Sequence, residues 1–419
     1  MGVMVAGPTA IRRDDRTEAT FAPGDAQILK PGNDGHGVGS PAMRSPTCTL
    51  VGCVLLSGAL GTMHAYSLFI EPFESALGVG RGGASSAYSV ALASLTVVVL
   101  VGHPLFRRVP GPLVALVAAG GAALGLLIAS TATSLTSLVV GYGVVFGAFN
   151  GLGYAFSLQR AAEANPGRRG LALGLVTAAY ALGGASAAIL LDGKIAENGA
   201  PGALRSLALA IAATGIATSL LVGTGRATTR GPAARLTRPD LRLVARLWAA
   251  YGLAVFAGLM ALGHGAAIVD EAGGPAAAAV ALAGLASASG GVWIALIADR
   301  TETDRLLRRL PVGSAGVLAL AAMAPNGVVM VVALAGIAFA YGAVIAVYPL
   351  AVARNFGEDG YPSAYGRVFT AWGTAGLVGP FGAGLLFEAT GTYRVPLLVA
   401  AAAAIGSTIT VWRMSVDQA

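Results

Sequence analysis

The sequence predicts an all-α membrane protein of twelve transmembrane helices arranged as two six-helix pseudo-repeats. Three observations carry this. Of 419 residues, 55% are hydrophobic and only 11% charged, too little polar surface to coat a water-soluble body of this length. Apolar stretches of roughly 18 to 25 residues recur along the chain, each long enough to cross a hydrocarbon core of about 30 Å as a self-satisfied helix. Arginines cluster in every second connection, and the most basic connection falls midway.

Residues 1–46 carry Gly, Pro, Asp and Arg without periodicity or an apolar run, so they read as a disordered cytoplasmic tail. The apolar pattern starts just after Met43-Arg44-Ser45-Pro46, which makes Met43 a plausible translation start. Helix 1 is placed at 47–72, helix 2 at 84–106 against Arg107 and Arg108, and helix 3 at 112–130. Helix 4 follows at 135–159, ending on Arg160, then helix 5 at 169–191 behind Arg168, and helix 6 at 204–225 before Arg226. A basic cytoplasmic linker, 226–244, separates these from helix 7 at 245–268 and helix 8 at 276–298. Helix 9, at 310–325, is short, bounded by Pro311 and Pro325-Asn326, and Arg308 and Arg309 can snorkel to extend it. Helices 10, 11 and 12 take 328–353, 364–387 and 394–413, leaving 414–419 as a tail. The two halves are therefore 47–225 and 245–413. Sixty glycines and many alanines suit close helix approach in lipid.

With a cytoplasmic tail, eighteen arginines fall on inner loops and flanks, against Arg81, Lys194, Arg205 and Arg394 outside. That bias puts both termini in the cytoplasm of a multi-pass protein. Lysine occurs only at Lys30 and Lys194, a skew that with the Ala and Gly content suggests a bacterial inner membrane. The net charge of +7 sits in these short loops and not in a patch interleaved with aromatics, so nucleic acid is not an expected partner. Cys48 and Cys53 show no disulfide or metal spacing. There is no GxxxxGK[ST], HExxH or nucleophile elbow, so no enzyme, no cofactor, no metal and no ATP-driven pump is expected. Internal symmetry supports the division: Tyr142-Gly143 parallels Tyr341-Gly342, and Gly170 precedes Gly183 by thirteen residues as Gly366 precedes Gly379.

Several stretches then resemble one transporter family. Tyr66-Ser67-Leu68-Phe69-Ile70-Glu71-Pro72-Phe73, Ala87-Tyr88-Ser89 and Asn165-Pro166-Gly167-Arg168-Arg169-Gly170 are similar to segments of the major facilitator superfamily, within it the oxalate/formate antiporter and monocarboxylate transporter-like group. The most specific block is Tyr348-Pro349-Leu350, Asn355-Phe356-Gly357, Tyr365-Gly366 and Thr370-Ala371-Trp372-Gly373, through Gly379-Pro380 to Thr390-Gly391-Thr392-Tyr393-Arg394. The resemblance implies the major facilitator fold and a central site reached by alternating access of the two halves. Two departures matter. The inner-loop signature has lost its acid in Gly102-His103-Pro104-Leu105-Phe106-Arg107-Arg108, whereas Asp299-Arg300 survives and is the expected gating pair. The lysine that dianion-binding members are expected to carry three residues beyond the helix 11 tryptophan is Ala375 here, and helix 8 carries no arginine. A divalent anion such as oxalate would meet no buried counter-charge.

Intramembrane ionisable groups are costly and therefore mark function. His64 and His264 occupy equivalent positions in the two repeats and are the candidate proton-coupling residues, with neutral, hydrogen-bonded packing as the alternative for each. Candidate substrate contacts are Asn150, Tyr154, Tyr180, Tyr341, Tyr348 and Trp372, amphipathic groups at mid-membrane depth, with core packing as their alternative. Arg367 either draws an anion inward or anchors helix 11. The expected function is secondary active transport of a small solute, a monocarboxylate-type organic anion, with protons or a counter-substrate, by a monomer in membrane lipid. Efflux of lipophilic compounds, or a non-transporting sensor or scaffold docking through the 226–244 linker, are the alternatives.

Overall fold

Apolar length alone marks most of the crossings. In the computed structural model, which describes residues 45–223, 240–297, 300–323 and 326–416, ten helical stretches are long and apolar enough to span a bilayer. They are α1 (Pro46–Leu77), α2 (Arg81–Val101), α3 (Gly111–Ser130), α4 (Leu135–Ala164), Pro166–Leu221, α7 (Leu241–Leu262), α8 (Ala276–Ile297 in full), α9 (Thr303–Met323), Gly327–Gly357 and α12 (Arg394–Val416 in full). The fifth holds two crossings, α5 (169–198) and α6 (200–221), divided at Gly199, where φ is 67°. A second left-handed glycine, Gly357 at φ 64°, separates α10 (327–356) from α11 (358–390). Both glycines take a conformation that a Cβ would penalise, so the chain reverses in one residue. Counted on either side of these glycines, the described residues hold twelve helices of membrane-crossing length, and the predicted all-α fold is observed.

Several boundaries differ from expectation for local reasons. Polar stretches after 191 and 353 were expected as loops, yet both stay helical up to their glycine, because a helix satisfies its own backbone at a membrane edge. Helix 2 was expected to reach 106 but ends at Val101, and a separate short helix, His103–Arg108, begins beside Pro104, which cannot donate to the preceding turn. Helix 9 is 21 residues long with Pro311 inside it, so the proline does not bound it. Residues 241–244 of the expected linker form the first turn of α7, capped by Asp240, whose carboxylate accepts from the amides of Arg242 and Leu243. The tail through Arg44, linker residues 224–239 and Asp299 lie outside the described residues; Arg300 is in a turn after α8.

Glycine rows bring helices together where no water drives association. On α4, Gly143, Gly147 and Gly151 face Ala87, Ala91 and Leu95 of α2, and a Cβ on Gly147 would lie 2.6 Å from the Ala91 backbone. In the second half the same device joins α8 to α10: a Cβ on Gly342 would sit 1.9 Å from the carbonyl of Ser287. Across the halves, α2 runs along α11, from Gly82 against Gly384 to Thr96 against Gly373, and α5 meets α8 at Ala185 and Gly284. With even crossings, the two ends of the helical bundle share one face, here the terminal face. The opposite, far face is where α2 begins and α11 ends, and there the halves touch.

Candidate functional site

Two helices lose regular winding near the middle of the molecule. In α1, residues Thr62–Phe69 are 3-10, and in α4, Val139–Phe146 are π. Such segments displace backbone groups from the helical ladder and frequently mark functional regions. Asn150, 0% exposed, braces this irregularity: its Nδ2 donates to the Leu60 carbonyl at 2.7 Å and its Oδ1 accepts from the Tyr180 hydroxyl at 2.8 Å. The 3-10 turn carries His64. Its Nδ1 lies 2.9 Å from the Tyr88 hydroxyl, the Tyr180 ring stands edge-on at 5.3 Å, and Tyr154 packs on Tyr180 at 4.6 Å. The imidazole is partly exposed and its Nε2 makes no hydrogen bond among the described residues.

The opposite wall comes from the second half. Trp372 Nε1 donates to the Tyr341 hydroxyl at 2.9 Å, leaving that hydroxyl proton free to donate onward. Tyr361, Tyr365, Phe369 and Trp372 follow one another along α11 with ring centroids 5.3, 5.8 and 5.8 Å apart. The Tyr154 hydroxyl is within electrostatic range of Tyr341, Tyr251 and Tyr365, and Tyr88 and Tyr180 are within range of Tyr341. Tyr154, Tyr341, Tyr365 and His64 nevertheless keep part of their surface exposed. None of these lining residues is Lys, Arg, Asp or Glu.

The structure thus brings His64, Asn150, Tyr154, Tyr180, Tyr341 and Trp372 to one region. Tyr348 sits behind it, wholly buried against Tyr251 at 4.5 Å. Arg367 is exposed and bonds the carbonyl and hydroxyl of Ser363 on its own helix. Reading single residues left out Tyr88, Tyr251, Tyr365 and Phe369; the i, i+4 spacing of Tyr361, Tyr365 and Phe369 on one helix was the available signal.

His264 is held differently from His64. It is 0% exposed, with Nε2 2.8 Å from the Pro380 carbonyl and Nδ1 2.9 Å from the Tyr393 hydroxyl. A carbonyl only accepts, so Nε2 carries the proton, and the neutral ring takes the Tyr393 hydrogen at Nδ1. Tyr393 in turn accepts from Arg81 Nη1 at 3.2 Å, and Arg81 pairs with Glu74 at 2.8 Å while lying 4.5 Å above the Phe387 ring. Beside it the Glu388 carboxylate accepts from the Gly82 amide at 2.6 Å, a free N–H of the first turn of α2. Phe381 N donates to Ser89 Oγ at 3.0 Å. Every one of these groups lies on the far face or just beneath it, and together they tie α2 to α11 and α12. The geometry is a latch that holds the two halves together at the far face.

Membrane-crossing helices in two halves, a polar latch joining them at one face, and a cluster of imidazole, phenol and indole groups drawn from both halves suit a solute carrier. Among similar proteins, an uncharacterized MFS-type transporter, YhjX of Escherichia coli (strain K12), is 24% identical over 350 residues, 80% of this chain and 86% of that one. Three solved structures share the fold. A mutant of the nucleoside transporter NupG has a TM-score of 0.73 at 12% identity, covering 87% of this chain and 99% of its own. A bacterial homolog of the human lysosomal transporter Spinster, inward-facing and unoccupied, scores 0.65 at 10% identity, covering 87% and 94%. The xylose transporter XylE from E. coli, partially occluded and inward open, scores 0.65 at 12% identity, covering 88% and 99%. A sequence model of the Major Facilitator Superfamily matches residues 50–380, and over that span, most of the chain, the protein belongs to this transporter family.

Proposed function

We propose that the protein carries a small organic acid of the monocarboxylate type across the bacterial inner membrane together with a proton, with both termini cytoplasmic. The observation that carries this reading is the free Nε2 of His64, in a cavity whose other named walls are phenols, an indole and phenyl groups. Protonation of that nitrogen supplies a positive charge that the other named residues of the site lack. A bound carboxylate stabilises imidazolium, so proton and anion bind as a linked, electrically neutral pair. The hydroxyls of Tyr154 and Tyr341 supply further donors, and an apolar lining keeps the pair dry. Halves 47–225 and 245–413 rock about this site. The Asp299-Arg300 pair is proposed to close the alternate state.

The test is uptake of labelled monocarboxylates into proteoliposomes, with and without a pH gradient, corrected against protein-free vesicles. Gradient-driven accumulation is expected for the wild type. His64→Gln should lose it while retaining exchange of pre-bound solute. Full gradient-driven uptake by His64→Gln would overturn the role of His64, and transport of neutral lipophilic compounds alone would favour efflux, the reading that the aromatic lining also suits. Absence of any flux would favour a sensor or scaffold.

A further inference from the structure

The second half lays an aromatic track along one face of α11. Tyr361, Tyr365, Phe369 and Trp372 are spaced i, i+4, i+8 and i+11, so over about 16 Å of helix their rings form an unbroken series. Tyr361 and Tyr365 lie parallel within 8°, and Phe369 and Trp372 within 4°. The three outer rings are partly exposed and Trp372, 7% exposed, is the most buried of the four. Lipid-facing rings would not account for it, because Tyr365 is within electrostatic range of Tyr154 in the opposite half and of Tyr251 on α7.

A second observation points to a ligand. The Tyr251 hydroxyl is wholly buried and, among the described residues, has no hydrogen-bond partner, as is true of Tyr348 packed against it. An unmet buried donor costs stability unless something binds it. The opposite wall, meanwhile, offers the imidazole of His64, so the cavity has one ionisable pole and one π-faced pole.

Resting on the organic-acid reading above, we infer that the solute is a planar acid with an aromatic face. Its carboxylate lies toward His64 and its ring lies on the α11 track, with the Tyr251 hydroxyl as an added donor at the end of the slot. Saturated acids of the same size have no π face to lay against these rings.

Isothermal titration calorimetry on the purified full chain in mildly acidic buffer tests this with benzoate and cyclohexanecarboxylate, which differ in planarity but not in charge. Benzoate is expected to bind at least tenfold more tightly. Trp372→Leu and Phe369→Leu should erase that ratio, whereas Trp372→Phe, which keeps a ring and controls for folding, should retain most of it. Equal affinities in the wild type, or a ratio unchanged in Phe369→Leu and Trp372→Leu, would overturn the inference and leave the organic-acid reading standing. If neither acid binds while labelled monocarboxylates are still accumulated, the inference alone fails; if no acid is bound or carried, both readings fall.

Discussion

At the scale of single residues, the two membrane histidines show how one residue type at equivalent repeat positions comes to serve different ends. His264 spends both ring nitrogens on Pro380 and Tyr393, and a proton added at Nδ1 would displace the Tyr393 hydrogen and set a second positive charge behind Arg81. His64 spends one nitrogen, on Tyr88. We therefore expect His264→Leu to destabilise the fold by about 1–3 kcal/mol, since it leaves the Tyr393 hydroxyl proton without its acceptor within the latch, while the pH-gradient dependence of whatever transport survives is unchanged. Thermal unfolding in detergent and proteoliposome uptake together check it. A His264 variant that is stable but uncoupled would contradict this division of labour. The sequence made both histidines visible, because each interrupts an apolar run. It could not show which is free, since the partners of His264 lie 116 and 129 residues away.

Between elements, the decisive contacts are made by absent side chains. The α2–α4 seam depends on Gly143, Gly147 and Gly151 at one-turn intervals, and a methyl group on Gly147 meets backbone at 2.6 Å, which cannot yield as a flexible side chain would. Gly147→Ala is expected to cost about 1–3 kcal/mol, read as a lowered unfolding midpoint. Gly120→Ala on α3, where nothing lies within 4 Å, should be neutral or slightly stabilising because Ala is the better helix former. Equal midpoints for the two variants would refute the seam. Helices were legible in the sequence because twenty apolar residues in a row leave a bilayer few alternatives. Their ends were less so: the polar residues of 192–198 read as loop, yet the helix continues to Gly199 and resumes with Pro201 in its first turn, where a missing N–H costs nothing. The latch was harder still, since Glu74, Arg81, Glu388 and Tyr393 look like ordinary boundary residues until α2, α11 and α12 are placed side by side.

For the whole molecule, the polar contacts that join the halves gather at the far face. Packing of α2 on α11 runs from Gly82 to Thr96, whereas the Arg81, Tyr393, His264 and Glu388 contacts are on the far-face side. A carrier that alternates must break the far-face set and form a new one at the terminal face, so distances on the two faces must change in opposite directions. Spin labels at Ala76 and Thr390 report the far face, and a pair at Arg169 and Asn355 reports the terminal face; all four positions are exposed. Without solute, pulsed dipolar spectroscopy in liposomes should give a short far-face distance and a broad, longer terminal-face one. Arg81→Gln combined with Glu388→Gln removes the Glu74 ion pair, the Tyr393 and Phe387 contacts and the charge at the α2 N-terminus. If those groups together favour the closed far face by even about 1.4 kcal/mol, the double variant shifts the ratio of the two states tenfold. A longer far-face component should then grow in as the terminal-face distance contracts. Unchanged distributions on both faces would show that helix packing alone, and not the polar latch, holds the far face shut.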